Sequence, residues 1–314
     1  MKTPLLKPYD SFVHLIVLLL IGFVSVGLFM ALGNTLIQLI WGIDVFSNMA
    51  ILTDFTRPEV IHANKLLLLL QHIGLFVLPP LVFAQLVSRN VWSYLSVRKP
   101  LDQSHWFWAV LAMLFSLLPI NLLVEWNAAL QLPESLHWLE EIIQTAEAQA
   151  EALTEALLSD VSVSALIINI LLIAVVPAIG EELMFRGGIQ RIITQWSGNM
   201  HVGIWVSALL FSAMHFQFYG FIPRMALGAL FGYMLVWSGS IWLPILAHLI
   251  NNATAVTLHY LIATGSASES VDTVGTGTQD IYFTGLSVVL LAAVLWTWKR
   301  QSKWPEIKAQ YFAP

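Results

Sequence analysis

Residues 161–196 decide the fold, and they read VSVSALIINILLIAVVPAIGEELMFRGGIQRIITQW. The stretch is almost entirely apolar up to Ile179, and it then carries Glu181, Glu182 and Arg186 without ending the apolar pattern. A run of this length can cross the ~30 Å hydrocarbon core of a bilayer as a helix. Charge inside such a helix is costly, so the ionisable residues within it are candidates for function.

The composition of the whole chain is that of a membrane protein. Of its 314 residues, 58% are hydrophobic and 11% are charged, whereas soluble domains carry about 25% charged residues. Cysteine is absent, which excludes disulfides, a thiolate nucleophile and a thiolate metal site. The sequence contains no nucleic-acid-binding module, so we expect no nucleic-acid partner.

Apolar runs predict eight transmembrane helices and hence an all-α, polytopic membrane bundle surrounded by lipid. The runs lie at about 12–41, 66–87, 104–125, 161–196, 200–216, 221–238, 241–262 and 281–298. We divide the chain into three segments. Residues 1–160 hold the first three helices and an outer segment, residues 161–262 hold the core that carries the chemistry, and residues 263–314 hold an outer loop, the last helix and a basic tail.

Basic residues predict the orientation, because they favour the cytoplasmic side of a membrane. With the N-terminus inside, the inner segments contain 11 of the 14 lysines and arginines: Lys2, Lys7, Arg89, Arg98, Lys99, Arg186, Arg191, Lys299, Arg300, Lys303 and Lys308. The outer side keeps Arg57, Lys65 and Arg224. Residues 125–160 fall outside and contain eight acidic residues and no basic ones. The charge pattern therefore predicts that both termini lie inside.

The outer segment 134–158 has its own pattern. Apolar residues recur there at helical spacing, with Glu and Gln between them. This pattern predicts an amphipathic helix that lies on the membrane surface or against the bundle. Both packing and the guiding of a substrate are compatible with it.

The first polar cluster is Glu181-Glu182 with Arg186. A spacing of four residues places Glu182 and Arg186 on one helix face, so they are expected to form an ion pair. Neighbouring side chains on a helix point about 100° apart. Glu181 therefore faces another direction and is free to act as a base.

Two further clusters lie in the following spans. Phe211 and His215 are at the far end of the fifth span, and His248 and Asn252 are four residues apart in the seventh, on one helix face. Intramembrane histidines and amides are costly unless they have polar partners.

Counting residues from the predicted turns places these clusters at one depth. Glu181 and His215 each lie 17 residues from Gly198, which is at the turn between their spans; this is about 25 Å along a helix. His248 lies about 13 Å beyond the next inner turn. With the inner membrane boundary near residue 189, Glu181 is about 12 Å deep. The count predicts that the clusters meet in the cytoplasmic half of the membrane.

Such a group could hydrolyse a peptide bond without a covalent nucleophile. Glu181 can take a proton from water, and His215 can hold the water or relay the proton. His248 and Asn252 can donate hydrogen bonds to an oxyanion. Alternatively, Glu181, His215 and His248 could bind a divalent metal such as zinc with an open coordination position. The sequence lacks an HExxH motif, and the residues leave both chemistries open.

The motifs Glu-Glu-x-x-x-Arg, Phe-x-x-x-His and His-x-x-x-Asn, in this order, resemble those of the CPBP family, also called the Abi family. That family contains the CAAX prenyl endopeptidases of the Ras-converting type and bacterial relatives linked to bacteriocin processing and immunity. The likeness covers about residues 161–262. It implies an intramembrane protease fold and a peptide or protein substrate, which in this family can be lipidated.

The resemblance implies a site of six residues: Glu181, Glu182, Arg186, His215, His248 and Asn252. In that arrangement Glu181 activates water with the help of His215. His248 and Asn252 form the oxyanion hole, and the remaining two residues support the site. The resemblance does not decide whether a metal takes part.

We therefore predict an intramembrane endopeptidase that hydrolyses a peptide bond near the cytoplasmic membrane face, in the inner membrane of a bacterium. A non-catalytic membrane immunity or scaffold protein is an alternative, and its function would not depend on Glu181. A proton-coupled transporter is a further alternative, because transporters also use intramembrane Glu and His.

Overall fold

The computed structural model describes residues 4–6, 9–100, 102–130, 132–271, 274–277 and 280–302. Four basic residues used in predicting the orientation lie outside the described residues, namely Lys2, Lys7, Lys303 and Lys308. Within the described ranges all regular structure is helical and no β-strand occurs. The predicted all-α class is confirmed.

The described chain has nine long helices: α1 (Ser11–Trp41), α2 (Pro58–Val87), α3 (Ser104–Ala128), α4 (His137–Leu158), α5 (Val163–Ser197), α6 (Met200–Ala213), α7 (Phe221–Ser238), α8 (Trp242–Ala263) and α9 (Ile281–Gln301). Short helical turns lie at Met49–Thr53, Val91–Tyr94, Glu134–Leu136 and Glu269–Val271. Seven of the nine, all except α4 and α6, are long and apolar enough to cross a membrane. The protein is therefore a polytopic membrane protein.

The predicted fifth span corresponds to α6, which is shorter than expected. With 14 residues it rises about 21 Å, less than the ~30 Å thickness of the hydrocarbon core. The apolar run predicted a helix to residue 216, but α6 ends at Ala213. Phe216 has φ 53°, a left-handed conformation that a right-handed helix cannot continue through. The chain therefore turns at His215, next to the end of α6.

Two glycines close the turns that the charge pattern places on the inner side. Gly198 and Gly239 both have φ 68°, which glycine adopts at little cost. The first joins α5 to α6 and the second ends α7 before α8. Arg98 Nε donates a hydrogen bond to Gly239 O at 2.8 Å, and Arg191 Nη1 donates one to Tyr94 O at 2.7 Å. These two hydrogen bonds join the loops on this side of the bundle to one another and to α5.

Helices α2 and α5 contain π-helical segments where they pack together. The segments are Ile73–Val77 in α2, and Ile170–Val175 and Leu183–Ile189 in α5. Such segments are rare and often occur at functional sites. A Cβ at Gly180 would lie 3.0 Å from Val77 Cγ2 and 3.1 Å from Phe76 Cβ. Gly180 therefore allows the close approach of α2 to the part of α5 that carries the two glutamates.

The amphipathic segment forms α4 and lies against the bundle, where it contacts α2, α5 and α8. Leu157 and Leu158 of its last turn are buried. Glu147 Oε1 accepts a hydrogen bond from Tyr219 N at 2.9 Å, so α4 is also joined to the turn between α6 and α7. Helix α4 therefore covers the ends of several membrane helices.

The orientation can be tested with single cysteines, because the natural chain has none. We expect Gln149→Cys in α4 and Ser266→Cys after α8 to react with a membrane-impermeant maleimide in intact cells. Ser197→Cys at the turn after α5 should react only after permeabilisation. All three positions are exposed. Labelling in the reverse pattern would show that the bundle is inverted.

Candidate active site

A buried carboxylate on α5 connects two basic side chains. Glu182 has 0% exposure and Arg186 has 1%. Arg186 Nη1 donates to Glu182 Oε1 at 3.0 Å, and its Nη2 donates to Gly228 O at 2.8 Å. His248 Nδ1 lies 2.9 Å from the same Glu182 oxygen. Because a carboxylate oxygen accepts hydrogen bonds, His248 Nδ1 carries the hydrogen and donates it. The predicted Glu182–Arg186 pair is thus present and also fixes His248 of α8.

Aromatic rings enclose this ionic group. The Arg186 guanidinium lies 4.6 Å from the ring centroid of Phe211 and 5.5 Å from that of Phe231. Phe231 also stacks on His248, with ring centroids 5.4 Å apart. Cations are attracted to ring faces, and the rings exclude water from the pair. Phe211, the first residue of the second motif, therefore supports the site through packing.

Glu181 points in a different direction from Glu182, as helical geometry requires, and approaches two imidazoles, those of His72 and His248. Its Oε1 lies 3.3 Å from His72 Nε2, and its Oε2 lies 3.8 Å from His248 Nε2. The residue is 6% exposed. Oε2 has no hydrogen-bond partner among the described residues. The structure thus brings Glu181 and His248 together and leaves one carboxylate oxygen for another group.

His72 was not among the predicted site residues. It is the last residue of the α-helical part of α2, just before the π segment Ile73–Val77. A histidine within the apolar run 66–87 is itself a sign of function, because polar groups at membrane depth are costly. Its partner could not be read from the sequence, because the contact with Glu181 depends on how α2 packs against α5.

Backbone carbonyls fix the tautomers of two histidines. His72 Nδ1 lies 2.9 Å from Leu68 O, and His215 Nδ1 lies 2.9 Å from Phe211 O. A carbonyl oxygen can only accept, so each Nδ1 carries a hydrogen. In His215, Nε2 is therefore the nitrogen left for the cavity, whereas Nε2 of His72 faces Glu181 Oε1. His215 interacts with Glu181 electrostatically, but it makes no direct ion pair with it of the kind that His72 makes.

Asn252 lies on the same side of α8 as His248 and lines the same cavity. Its Nδ2 donates a hydrogen bond to Ile173 O at 3.1 Å. Ile173 belongs to the π segment Ile170–Val175, where the helix is widened. The amide nitrogen has two hydrogens, so one remains for a further acceptor.

The polar groups open into a cavity of about 660 Å³. Apart from Glu181 and the histidines, its walls are mainly apolar and come from α2, α3, α4, α5, α7 and α8: Leu68, Ile120, Val124, Leu153, Leu157, Leu172, Ile173, Leu227 and Phe231. A second cavity of about 600 Å³ shares Thr154 and Gln217 with it and is lined by Glu147, Glu151 and Glu155.

The cavity extends from Glu181 toward α4 and the turn between α6 and α7. The charge pattern places both of these segments on the outer side. Glu181 lies near the middle of the 35-residue helix α5, which is about 52 Å long and exceeds the membrane core. The residue count had favoured the cytoplasmic half, but the cavity favours access from the outer side. Counting residues along a helix predicts the depth of a side chain but not the side of the membrane toward which the cavity opens.

The described side chains do not form a ready metal-binding cluster, since no three of His, Asp or Glu among them are arranged to hold a metal ion. We therefore assign no step to a metal.

Removing the arginine should destabilise the protein strongly. Arg186→Met leaves the Glu182 carboxylate buried without its cation, which costs about 3–5 kcal/mol. We expect a large fall in the thermal unfolding temperature of the purified protein in detergent. Arg300→Met is the matched control, because Arg300 is exposed and lies over Trp296.

A second substitution separates charge from packing. Glu182→Gln in the Arg186→Met background removes the orphaned charge, so it should restore part of the lost stability. If it restores none, the loss comes from the packing of Arg186 against the two phenylalanines, and the electrostatic explanation is wrong.

The central part of the chain is similar to a known family. Residues 163–254 match the family model described as type II CAAX prenyl endopeptidase Rce1-like. The chain is also 33% identical over 89 residues to "Uncharacterized protein YpbD" of Bacillus subtilis (strain 168). That match covers 27% of this chain and 42% of the relative, so the chain spans less than half of the relative's length. No solved structure matches the chain. The family resemblance indicated by the three motifs is confirmed for this central segment.

Proposed function

Because residues 163–254 carry the type II CAAX prenyl endopeptidase-like segment, we propose that this membrane protein is an endopeptidase that hydrolyses a peptide bond inside the membrane. One observation supports this more than any other. Glu181 is buried at the wall of a cavity, with one oxygen held by His72 and the other unpaired and facing His248. A carboxylate placed in this way can accept a proton from a water molecule.

The proposed reaction uses a water molecule as the nucleophile. Glu181 Oε2 takes a proton from the water while the water oxygen attacks the peptide carbonyl carbon. His215 presents Nε2 to the cavity as an acceptor and orients this water. The proton then passes from Glu181 to the amine nitrogen as the C–N bond breaks, and the carboxylate is regenerated.

The oxyanion is stabilised by donors on α8. Asn252 Nδ2 has one hydrogen that is not used by Ile173 O. His248 Nδ1 binds Glu182, and its Nε2 faces Glu181 Oε2 at 3.8 Å. In the imidazolium form, its Nε2–H donates to the oxyanion as negative charge develops.

The shape and lining of the cavity suit an extended, membrane-bound substrate. Its apolar walls can accept apolar side chains or a lipid group attached to the peptide. We propose that the substrate reaches Glu181 from the outer side, beneath α4. We also propose that the protein resides in the inner membrane of a bacterium, in line with its relative in Bacillus subtilis.

Replacing the base should abolish cleavage. In cells that produce equal amounts of each protein, we expect Glu181→Gln to lower the yield of processed N- and C-termini about 10²–10⁴-fold, the usual contribution of a general base. Mass spectrometry of protein termini in membrane and secreted fractions measures this. Glu134→Gln is the control, since Glu134 is exposed and does not line the cavity.

The same comparison separates the enzyme from a binding protein. If Glu181→Gln gives the same termini as the natural chain, and any associated phenotype persists, the peptidase proposal fails. A membrane partner that acts by binding alone would then remain.

His72 should affect turnover through Glu181. His72→Phe removes the contact with Glu181 Oε1, and we expect kcat to fall about 10-fold or more, since hydrogen bonds to charged groups contribute about 1.5–3 kcal/mol. KM should change little. His72→Gln can still donate to the carboxylate and should retain more activity. The cleavage rate of a peptide identified by the termini analysis measures this; equal activity of His72→Phe and the natural protein would exclude the role.

A further inference from the structure

Arg224 is a cation in the cavity that the proposed reaction does not use. It lies in the first turn of α7, shortly after Gly220, and its side chain lines the cavity together with Glu181 and His215. Nη2 donates a hydrogen bond to Gln217 Oε1 at 2.9 Å. Nη1 is buried and has no hydrogen-bond partner among the described residues. The guanidinium thus has an unused donor inside a largely apolar space.

The contrast with Arg186 shows what Arg224 lacks. Arg186 has a carboxylate oxygen at 3.0 Å. For Arg224, no carboxylate oxygen within the described part of the chain lies at ion-pair distance, and its only side-chain partner there is the neutral amide of Gln217. An arginine stays ionised in proteins, and a partly buried charge without a counter-charge in contact is unfavourable. An anionic group bound at Arg224 would remove this penalty.

The two acidic residues that interact with Arg224 are held by other partners. Glu147 and Glu181 both interact electrostatically with Arg224. Glu147 Oε1, however, accepts the hydrogen bond from Tyr219 N, and Glu181 is held between His72 and His248. Neither forms an ion pair with Arg224. A carboxylate that enters the cavity could therefore supply the missing counter-charge.

We propose that Arg224 binds a carboxylate of the peptide substrate and so determines where the chain is cut. The planar guanidinium matches the two oxygens of a carboxylate, which it can bind through parallel hydrogen bonds. Since Arg224 and Glu181 line one cavity of about 660 Å³, the bond that is hydrolysed lies within a few residues of that carboxylate. This inference rests on the proposed peptidase function and names the substrate group recognised at the same site.

The carboxylate has two possible sources in a peptide, the C-terminus and an Asp or Glu side chain. Three synthetic peptides distinguish them: N-acetyl-trileucine with a free carboxylate, the same peptide as its amide, and N-acetyl-Leu-Asp-Leu amide. Binding is measured by calorimetric titration in lipid nanodiscs. The full-length protein carries Glu181→Gln so that no peptide is cut, and the affinities are compared with and without Arg224→Gln.

We expect at least one carboxylate peptide to bind about 10- to 100-fold more tightly than the neutral amide, as charge-assisted hydrogen bonds predict. Arg224→Gln should remove this preference, and Arg224→Lys should keep only part of it, because lysine lacks the planar fork. Arg57→Gln, which changes an exposed outer arginine, should leave the preference intact. The peptide that shows the preference identifies the source of the carboxylate.

Equal affinity for the acid and amide peptides, absence of binding by all three, or the same preference in Arg224→Gln would each overturn the proposal. The proposal would also be overturned if an anionic lysophospholipid bound in an Arg224-dependent way and none of the peptides bound. Because the titration needs no cleavage, it is independent of the termini analysis. Arg224-dependent binding without any cleavage in cells would support the carboxylate site and contradict the proposed peptidase function.

Discussion

The buried carboxylate of Glu182 is the constraint on which the site depends. It accepts a hydrogen bond from Arg186 on its own helix and another from His248 on α8. Arg186 in turn donates to Gly228 O of α7. One carboxylate therefore connects three membrane helices. In lipid, where apolar packing between helices gives little specificity, such polar contacts fix the relative positions of helices.

This arrangement explains why two adjacent glutamates take different roles. The helix directs Glu182 into the ionic group and Glu181 into the cavity. The carboxylate of Glu182 is paired with Arg186 and accepts a hydrogen bond from His248, so it serves the structure of the site. Glu181 has one unpaired oxygen beside an imidazole that Glu182 has oriented. The Glu182–Arg186 pair is thus linked to Glu181, the proposed base, through His248 and not by direct contact.

Much of the fold could be predicted because lipid imposes simple rules on sequence. Long apolar runs gave the crossing helices, and helical spacing gave α4 and the Glu182–Arg186 pair. Counting from the turns at Gly198 and Gly239 predicted that Glu181 and His248 lie at the same depth. In the structure, His248 Nε2 lies 3.8 Å from Glu181 Oε2. These are local or one-dimensional properties, which a single sequence contains.

Other features depend on packing between distant segments. The contact of His72 with Glu181 requires the close approach of α2 at Gly180, and the short length of α6 follows from the backbone conformation of Phe216. Neither is visible as a pattern. The direction of the cavity could not be predicted either, because it depends on α4 lying over the bundle.

The position of α4 links charge to access. Its acidic residues belong to the segment that the distribution of Lys and Arg places outside, and three of them line the second cavity beside the route to Glu181. A negative surface there attracts cationic segments of a substrate and repels anionic ones. Arg224 lies beyond this acidic region, inside the apolar cavity. If Arg224 binds a substrate carboxylate as proposed, that carboxylate reaches it more readily when basic or apolar residues accompany it. The acidic mouth and the arginine in the cavity would then select different parts of one peptide.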